Sequence, residues 1–167
     1  MNSKLSKWLI LSALLVFLVA IFMAAGGHAA AAACTVTLSP GDDIQTAIDA
    51  AAPGDVICLD PGTYSPPAKI DIHQSVTLQG PQAGVDPRPG AGSGRLVGDT
   101  ATEAIISGLA NNLSGIIVIT ADNVVLDGLE ITGSSGDMID SEDFLATTGT
   151  AIRYNIIHVS GDEGIQL

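Results

Sequence analysis

Basic residues are nearly missing from this chain. Its 167 residues hold 6 Lys and Arg against 18 Asp and Glu, a formal net charge of −12. Lys4 and Lys7 stand at the extreme N-terminus. The rest carries only Lys69, Arg88, Arg95 and Arg153, for a net charge of −14. Such a balance argues against nucleic acid and anionic membrane surfaces as partners. Aromatic residues make up 4% of the chain, so no extended aromatic platform for stacking on sugars is visible. A long apolar run occurs once, from Trp8 to Ala25, behind Lys4 and Lys7 and ahead of the alanine-rich stretch His28 to Ala33. This is the pattern of a cleaved signal peptide over residues 1–33, with the mature chain starting between about 29 and 35. An uncleaved anchor is the alternative, since about 18 apolar residues nearly span a bilayer. Either reading exports residues 34–167, to a secreted or cell-surface location.

Cysteine occurs twice, at Cys34 and Cys58. In an exported chain a disulfide is the default reading. A lipid on Cys34 competes, because Ala31-Ala32-Ala33-Cys34 loosely matches a bacterial lipobox, and two free thiols are the third reading. Membrane contact would come only through the N-terminal segment or such a lipid. The disulfide faces a difficulty of parity. Cys34 shares the parity of Val36 and Leu38, whereas Cys58 is opposite to Ile57 and Leu59, so Cys34 must sit beyond the regular end of its strand.

What the chain does have is a repeated register. Ser75-Val76-Thr77-Leu78-Gln79-Gly80, Ala104-Ile105-Ile106-Ser107-Gly108 and Asn123-Val124-Val125-Leu126-Asp127-Gly128 place a glycine two positions after Leu78, Ile106 and Leu126. Ile152-Arg153-Tyr154 repeats the pattern with tyrosine in the glycine position. The intervals are 28, 20 and 26 residues. Short β-runs at this spacing, each ending in a tight bend, predict an all-β parallel solenoid. The alignment predicts an inward column of Leu78, Ile106, Leu126 and Ile152. It predicts an outward column of Gln79, Ser107, Asp127 and Arg153, with Asp127 and Arg153 forming an exposed ion pair.

Ile44, Ala47, Ile48 and Ala51 fall at helical spacing after Asp42 and Asp43, which can cap free N–H groups. A helix over 43–52 is expected, covering the N-terminal end of the solenoid. Residues 81–103, rich in Gly and Pro, read as a surface loop, and residues 134–149 as a second insertion. Gly164-Ile165-Gln166-Leu167 begins a further turn with no cap after it. The expectation is therefore a longer protein, with this chain its N-terminal part.

Ile44-Gln45-Thr46-Ala47-Ile48-Asp49-Ala50-Ala51, Pro53-Gly54-Asp55, Pro61-Gly62-Thr63-Tyr64 and Val76-Thr77-Leu78-Gln79-Gly80 together resemble the start of the right-handed parallel β-helix proteins of the pectate-lyase-like superfamily. Ile152 to His158 and Gly161-Asp162-Glu163-Gly164-Ile165 resemble their generic repeats. The resemblance implies a right-handed parallel β-helix with a short N-terminal capping α-helix. It does not imply one activity, because the superfamily spans lyases, esterases, hydrolases, epimerases and surface adhesins.

The lyases imply Ca²⁺ on acidic side chains with an Arg or Lys base. Here Asp127, Glu130, Arg153, His158 and Lys69 are candidates, and a solvated outer β-surface is the plainer account of them. Asp137, Asp140, Glu142 and Asp143 offer hard oxygen ligands for Ca²⁺, but without the ordered spacing of an EF-hand, and a solvated loop is the plainer account of them. Asp162 and Glu163 resemble the paired carboxylates of polygalacturonase-type hydrolases. The acidic motif that accompanies them there is replaced by Arg153-Tyr154-Asn155. The functional expectation is an exported carbohydrate-associated or adhesive scaffold, with a polysaccharide or cell-surface glycan as partner. The alternative is a secreted polysaccharide-active enzyme whose catalytic turns lie largely beyond residue 167. Asn112-Leu113-Ser114 is a formal glycosylation sequon.

Overall fold

A computed structural model describes residues 33–111, 113–141 and 147–167. The expected signal segment, Asn112, Glu142 and Asp143 lie outside the described residues. The described chain is mostly short strands in three parallel sheets. The first sheet runs β1 (Val36–Leu38), β2 (Val56–Leu59), β5 (Thr77–Gln79), β8 (Val125–Asp127), β11 (Ala151–Arg153). The second runs β3 (Gly62–Tyr64), β6 (Ala104–Ser107), β9 (Glu130–Thr132), β12 (Ile156–His158). The third runs β4 (Ile70–Ile72), β7 (Gly115–Ile119), β10 (Asp137–Asp140), β13 (Ile165–Gln166). From β2 onward the chain visits the three sheets in strict rotation, each turn adding one strand to each. This arrangement is consistent with a parallel β-solenoid.

The aliphatic columns build the interior. Ile57, Leu78, Leu126 and Ile152 are in register in the first sheet. Tyr64, Ile106, Ile131 and Ile157 are in register in the second. Stacking at about 4.8 Å packs each of these side chains against an apolar neighbour in the adjoining turn. This separates two segments that the sequence alignment joined. Ile106 faces inward as expected, but β6 belongs to the second sheet, so Ser107 stands over Thr132 and not beside Gln79 and Asp127. A further difference concerns residues 134–149. Asp137–Asp140 is a strand paired with β7 and β13, with Met138 and Ile139 in the core.

The helix α1 (Ile44–Ala50) shows how the N-terminal end is closed. Asp43 caps it by accepting from the Gln45 N–H, and Ile44 and Ile48 are its buried face. β4 is the outermost strand of its sheet. Its free edge would expose a donor and an acceptor at Asp71. The Gln45 side chain meets both, accepting from the Asp71 N–H at 2.8 Å and donating to its carbonyl at 3.1 Å. An amide side chain thus substitutes for the missing neighbouring strand.

Cys34 and Cys58 form a disulfide with Cα atoms 5.6 Å apart. Cys58 is in register with Thr37, and Cys34 lies ahead of the first residue of β1. The parity conflict is thereby avoided, because Cys34 is outside the pleat. A sulfur engaged in this bond is not available to carry a lipid.

Tyr64 ties the first bend together, its hydroxyl reaching the carbonyls of Leu38 at 2.8 Å and Asp60 at 3.0 Å. Burial, and then the Asp60 carboxylate, push this phenol up from its ordinary 10.0 to about 12. The folded protein therefore holds the proton more tightly than the unfolded chain. The associated stability is complete below pH 10 and is lost as pH rises towards 12, by about 1–3 kcal/mol. Denaturation midpoints taken from pH 9 to 12 should fall, and Tyr64→Phe should flatten that fall. An unchanged slope in the variant would remove Tyr64 as its cause.

Candidate functional site

The bend between the first and second sheets is short in most turns. In the turn that begins at β5 it expands into residues 80–103. This segment folds over the outer edge of the next turns, and acidic side chains pin it there. Asp127, at the end of β8, accepts from the Gly84 N–H at 3.0 Å and from Arg153 Nε at 2.8 Å. Glu130, at the start of β9, accepts from the Gly98 N–H at 2.8 and 3.1 Å. Arg95 and Glu103, both within the segment, form a two-pronged ion pair at 2.7 and 2.9 Å. Their side chains are 1% and 0% exposed. Arg95 also donates to the carbonyls of Val85 and Tyr154.

Two carboxylates that the sequence reads as solvated are therefore buried. Asp127 is 5% exposed and Glu130 1%. Asp127 and Arg153 are register neighbours and ion-paired, as the repeat pattern predicts, but the pair is not a fully exposed one. The covering segment makes the difference. Sequence parity places Asp127 outside the core, and the covering segment takes it out of water. Arg95 and Glu103 were not legible at all. The available signal was two arginines and three acidic residues in a Gly/Pro-rich stretch of a chain with few cations.

His158 lies beside this cluster. Its Nε2 faces Glu130 Oε1 at 2.8 Å and its Nδ1 faces the Thr132 hydroxyl at 3.3 Å. The tautomer that satisfies both partners carries the proton on Nε2 and accepts at Nδ1. The carboxylate fixes the ring and the ring's lone pair meets a hydroxyl.

The other candidates fall elsewhere. Asp162 and Glu163 are exposed on the approach to β13. The Glu163 N–H donates to Asp137 Oδ1 at 2.9 Å, and the Met138 N–H to the Glu163 carbonyl. They serve a backbone junction in the third sheet and make no hydrogen bond or ion pair with Asp127 or Arg153 among the described residues. Asp137 and Asp140 are strand residues of β10 and not part of an open loop. Among the described residues no group of three or more His, Cys, Asp or Glu is placed to hold a metal ion. Nor is any described helix long and apolar enough to cross a membrane.

The repeat's one tyrosine falls where the alignment puts it. Arg153 is in register with Asp127, so Tyr154 occupies the position held by Gly128 one turn earlier. Gly128 has φ +70° and Tyr154 has φ +54°. A β-carbon on Gly128 would meet the Ala83 nitrogen at 2.1 Å, where the covering segment passes. Glycine is required there on both counts. Tyr154 keeps the left-handed backbone, which costs an L-residue about 1–2 kcal/mol, and the residue is 41% exposed. Asn155 stabilises the same bend, donating to the Leu126 carbonyl and accepting from the Leu129 N–H, each at 2.9 Å.

Comparison with known protein families finds a match over residues 27–167 to the family described as protein of unknown function DUF1565. No curated protein and no solved structure matches the chain.

Proposed function

The chain belongs to the DUF1565 family, and from that premise we propose that it is an exported scaffold, a right-handed parallel β-helix of the pectate-lyase-like kind, that associates with carbohydrate at or outside the cell surface. What supports this reading is how the acidic residues are used. Asp127, Glu130 and Glu103 are spent on backbone N–H groups and guanidinium partners that hold residues 80–103 in one shape. A site built for acid–base chemistry keeps a carboxylate or imidazole facing the space a substrate enters. Here the carboxylates instead fix a loop on a rigid stack of strands, the way a binding surface is presented.

A second reading is favoured by one observation, the line of Thr132, His158 and Glu130. It supports a polysaccharide-active enzyme with His158 as a general base.

One experiment separates the two. The full chain is incubated with insoluble polysaccharides, and both retained protein and released sugar ends are measured. The scaffold reading expects retention without release, and loss of retention when residues 82–101 are replaced by a short glycine-serine linker. Release of new sugar ends, abolished by His158→Ala, would overturn it in favour of the enzyme. Absence of retention on every polysaccharide would overturn the carbohydrate association itself.

A further inference from the structure

We propose that Tyr154 is a stacking platform for one uncharged pyranose ring, with the free guanidinium N–H groups of Arg153 as hydrogen-bond donors at its rim. This rests on the carbohydrate-associated reading above and names the sugar chemistry.

Tyr154 stands where the repeat has glycine. The bend after the first sheet calls for glycine, and the preceding turn supplies it as Gly128 in the same left-handed conformation. Aromatic residues are among those that pay most for this backbone. Burial in the core does not explain the choice, since the residue is 41% exposed. Hydrogen bonding does not explain it either. Arg95 reaches the Tyr154 carbonyl, which any residue supplies. What tyrosine adds at this position is an exposed, amphipathic ring on a rigid bend, in a chain with two tyrosines in all. A flat apolar face with few rotatable bonds is the cheapest way to hold a flat ligand.

The surroundings name the ligand. Arg153 is 57% exposed at its side chain and uses Nε on Asp127. Its other two nitrogens make no hydrogen bond among the described residues. Because Asp127 is buried and fixed by the Gly84 N–H, the guanidinium has one fixed anchor, which favours one orientation of its donors.

Every arginine here is matched by a carboxylate: Arg88 by Asp86, Arg95 by Glu103, Arg153 by Asp127. Glu130 adds a further acidic group beside His158. The patch has spare donors but no spare positive charge, within a chain of net charge −12. An acidic sugar would meet no uncompensated cation and would be repelled at long range. Hydroxyl groups on an uncharged ring can accept from Arg153 without that penalty.

The test uses the full chain, titrated with an uncharged β-glucan oligosaccharide and, in parallel, with an oligogalacturonate of the same length. Tyr154→Gly and Tyr154→Phe are compared with the parent protein. The parent should bind the uncharged oligosaccharide more tightly than the acidic one. Tyr154→Phe should stay within about twofold, and Tyr154→Gly should weaken binding by about tenfold or more. Tyr154→Gly should also raise Tm, or leave it unchanged, because glycine suits the backbone there. That combination, affinity lost while stability is kept, is what a purely structural tyrosine would not produce. A lowered Tm in Tyr154→Gly would make the ring a packing element and overturn the proposal. Preference for the oligogalacturonate would overturn the choice of an uncharged ligand. Unchanged retention of Tyr154→Gly on insoluble polysaccharide would overturn the subsite while leaving the carbohydrate association standing. Loss of all binding by the parent protein would overturn both.

Discussion

Arg95→Met should release the segment that spans residues 80–103 and lower stability by about 3–5 kcal/mol. The figure follows from what the substitution leaves behind. Glu103 is fully buried, and Arg95 is its ion-pair partner. The methionine fills most of the volume but leaves a carboxylate without a counter-charge and the carbonyls of Val85 and Tyr154 without their donor. The protein can escape part of this penalty by opening the segment locally, since between its two ends the other hydrogen bonds to the neighbouring turns are the Gly84 and Gly98 N–H contacts to Asp127 and Glu130. Two readouts are therefore needed. Denaturation reports the global loss, and limited proteolysis across residues 81–99 reports the opening. Pairing Arg95→Met with Glu103→Gln should recover part of the loss, because the unpaired charge is then gone. If Arg95→Met changes neither the denaturation midpoint nor the cleavage rate, the ion pair does not hold the segment.

Leu126→Ala should cost about 2–5 kcal/mol through a different mechanism. Leu126 is 0% exposed and lies in register between Leu78 and Ile152. Removing its isobutyl group opens a cavity between two turns that strand pairing holds at a fixed spacing, so the walls cannot collapse inward. Val97→Ala is the control. Val97 is on the outside of the covering segment, and its loss should stay within about 0.5 kcal/mol. Equal effects at the two positions, measured by chemical denaturation, would mean that Leu126 does not face a packed interior.

The inward columns were readable because they rest on local alternation, Val-x-Leu or Ile-x-Ile, closed by a residue that permits a sharp bend. The same motif misled over Ile106. Two different bends in each turn use it. A β-carbon on Gly80 would meet the Gly128 carbonyl oxygen at 2.1 Å, and one on Gly108 would meet the Gly133 oxygen at 2.8 Å. Both bends demand the absence of a side chain for the same steric reason, so the glycine does not say which sheet precedes it. β10 was read as loop because Asp-Met-Ile-Asp has only two apolar residues flanked by carboxylates. Its pairing with β7 is what makes it a strand. The burial of Asp127 and Glu130 was not legible for a third reason. It is imposed by Gly84 and Gly98, 43 and 32 residues away in sequence, and no local pattern encodes that distance.

The elongated bend also bears on what this architecture can carry. Leu78 and Leu126 are paired neighbours 48 positions apart, against 21 for Ile57 and Leu78. Lengthening a closed loop by that ratio costs only about 0.7 kcal/mol of closure entropy, less than one buried ion pair loses when broken. The strands on either side keep the same register whether the detour is short or long. The bend behaves as a docking port in the chain itself. Foreign sequence could be spliced between Gly80 and Ala104, and the stack would tolerate it so long as the newcomer brought donors for the Asp127 and Glu130 carboxylates.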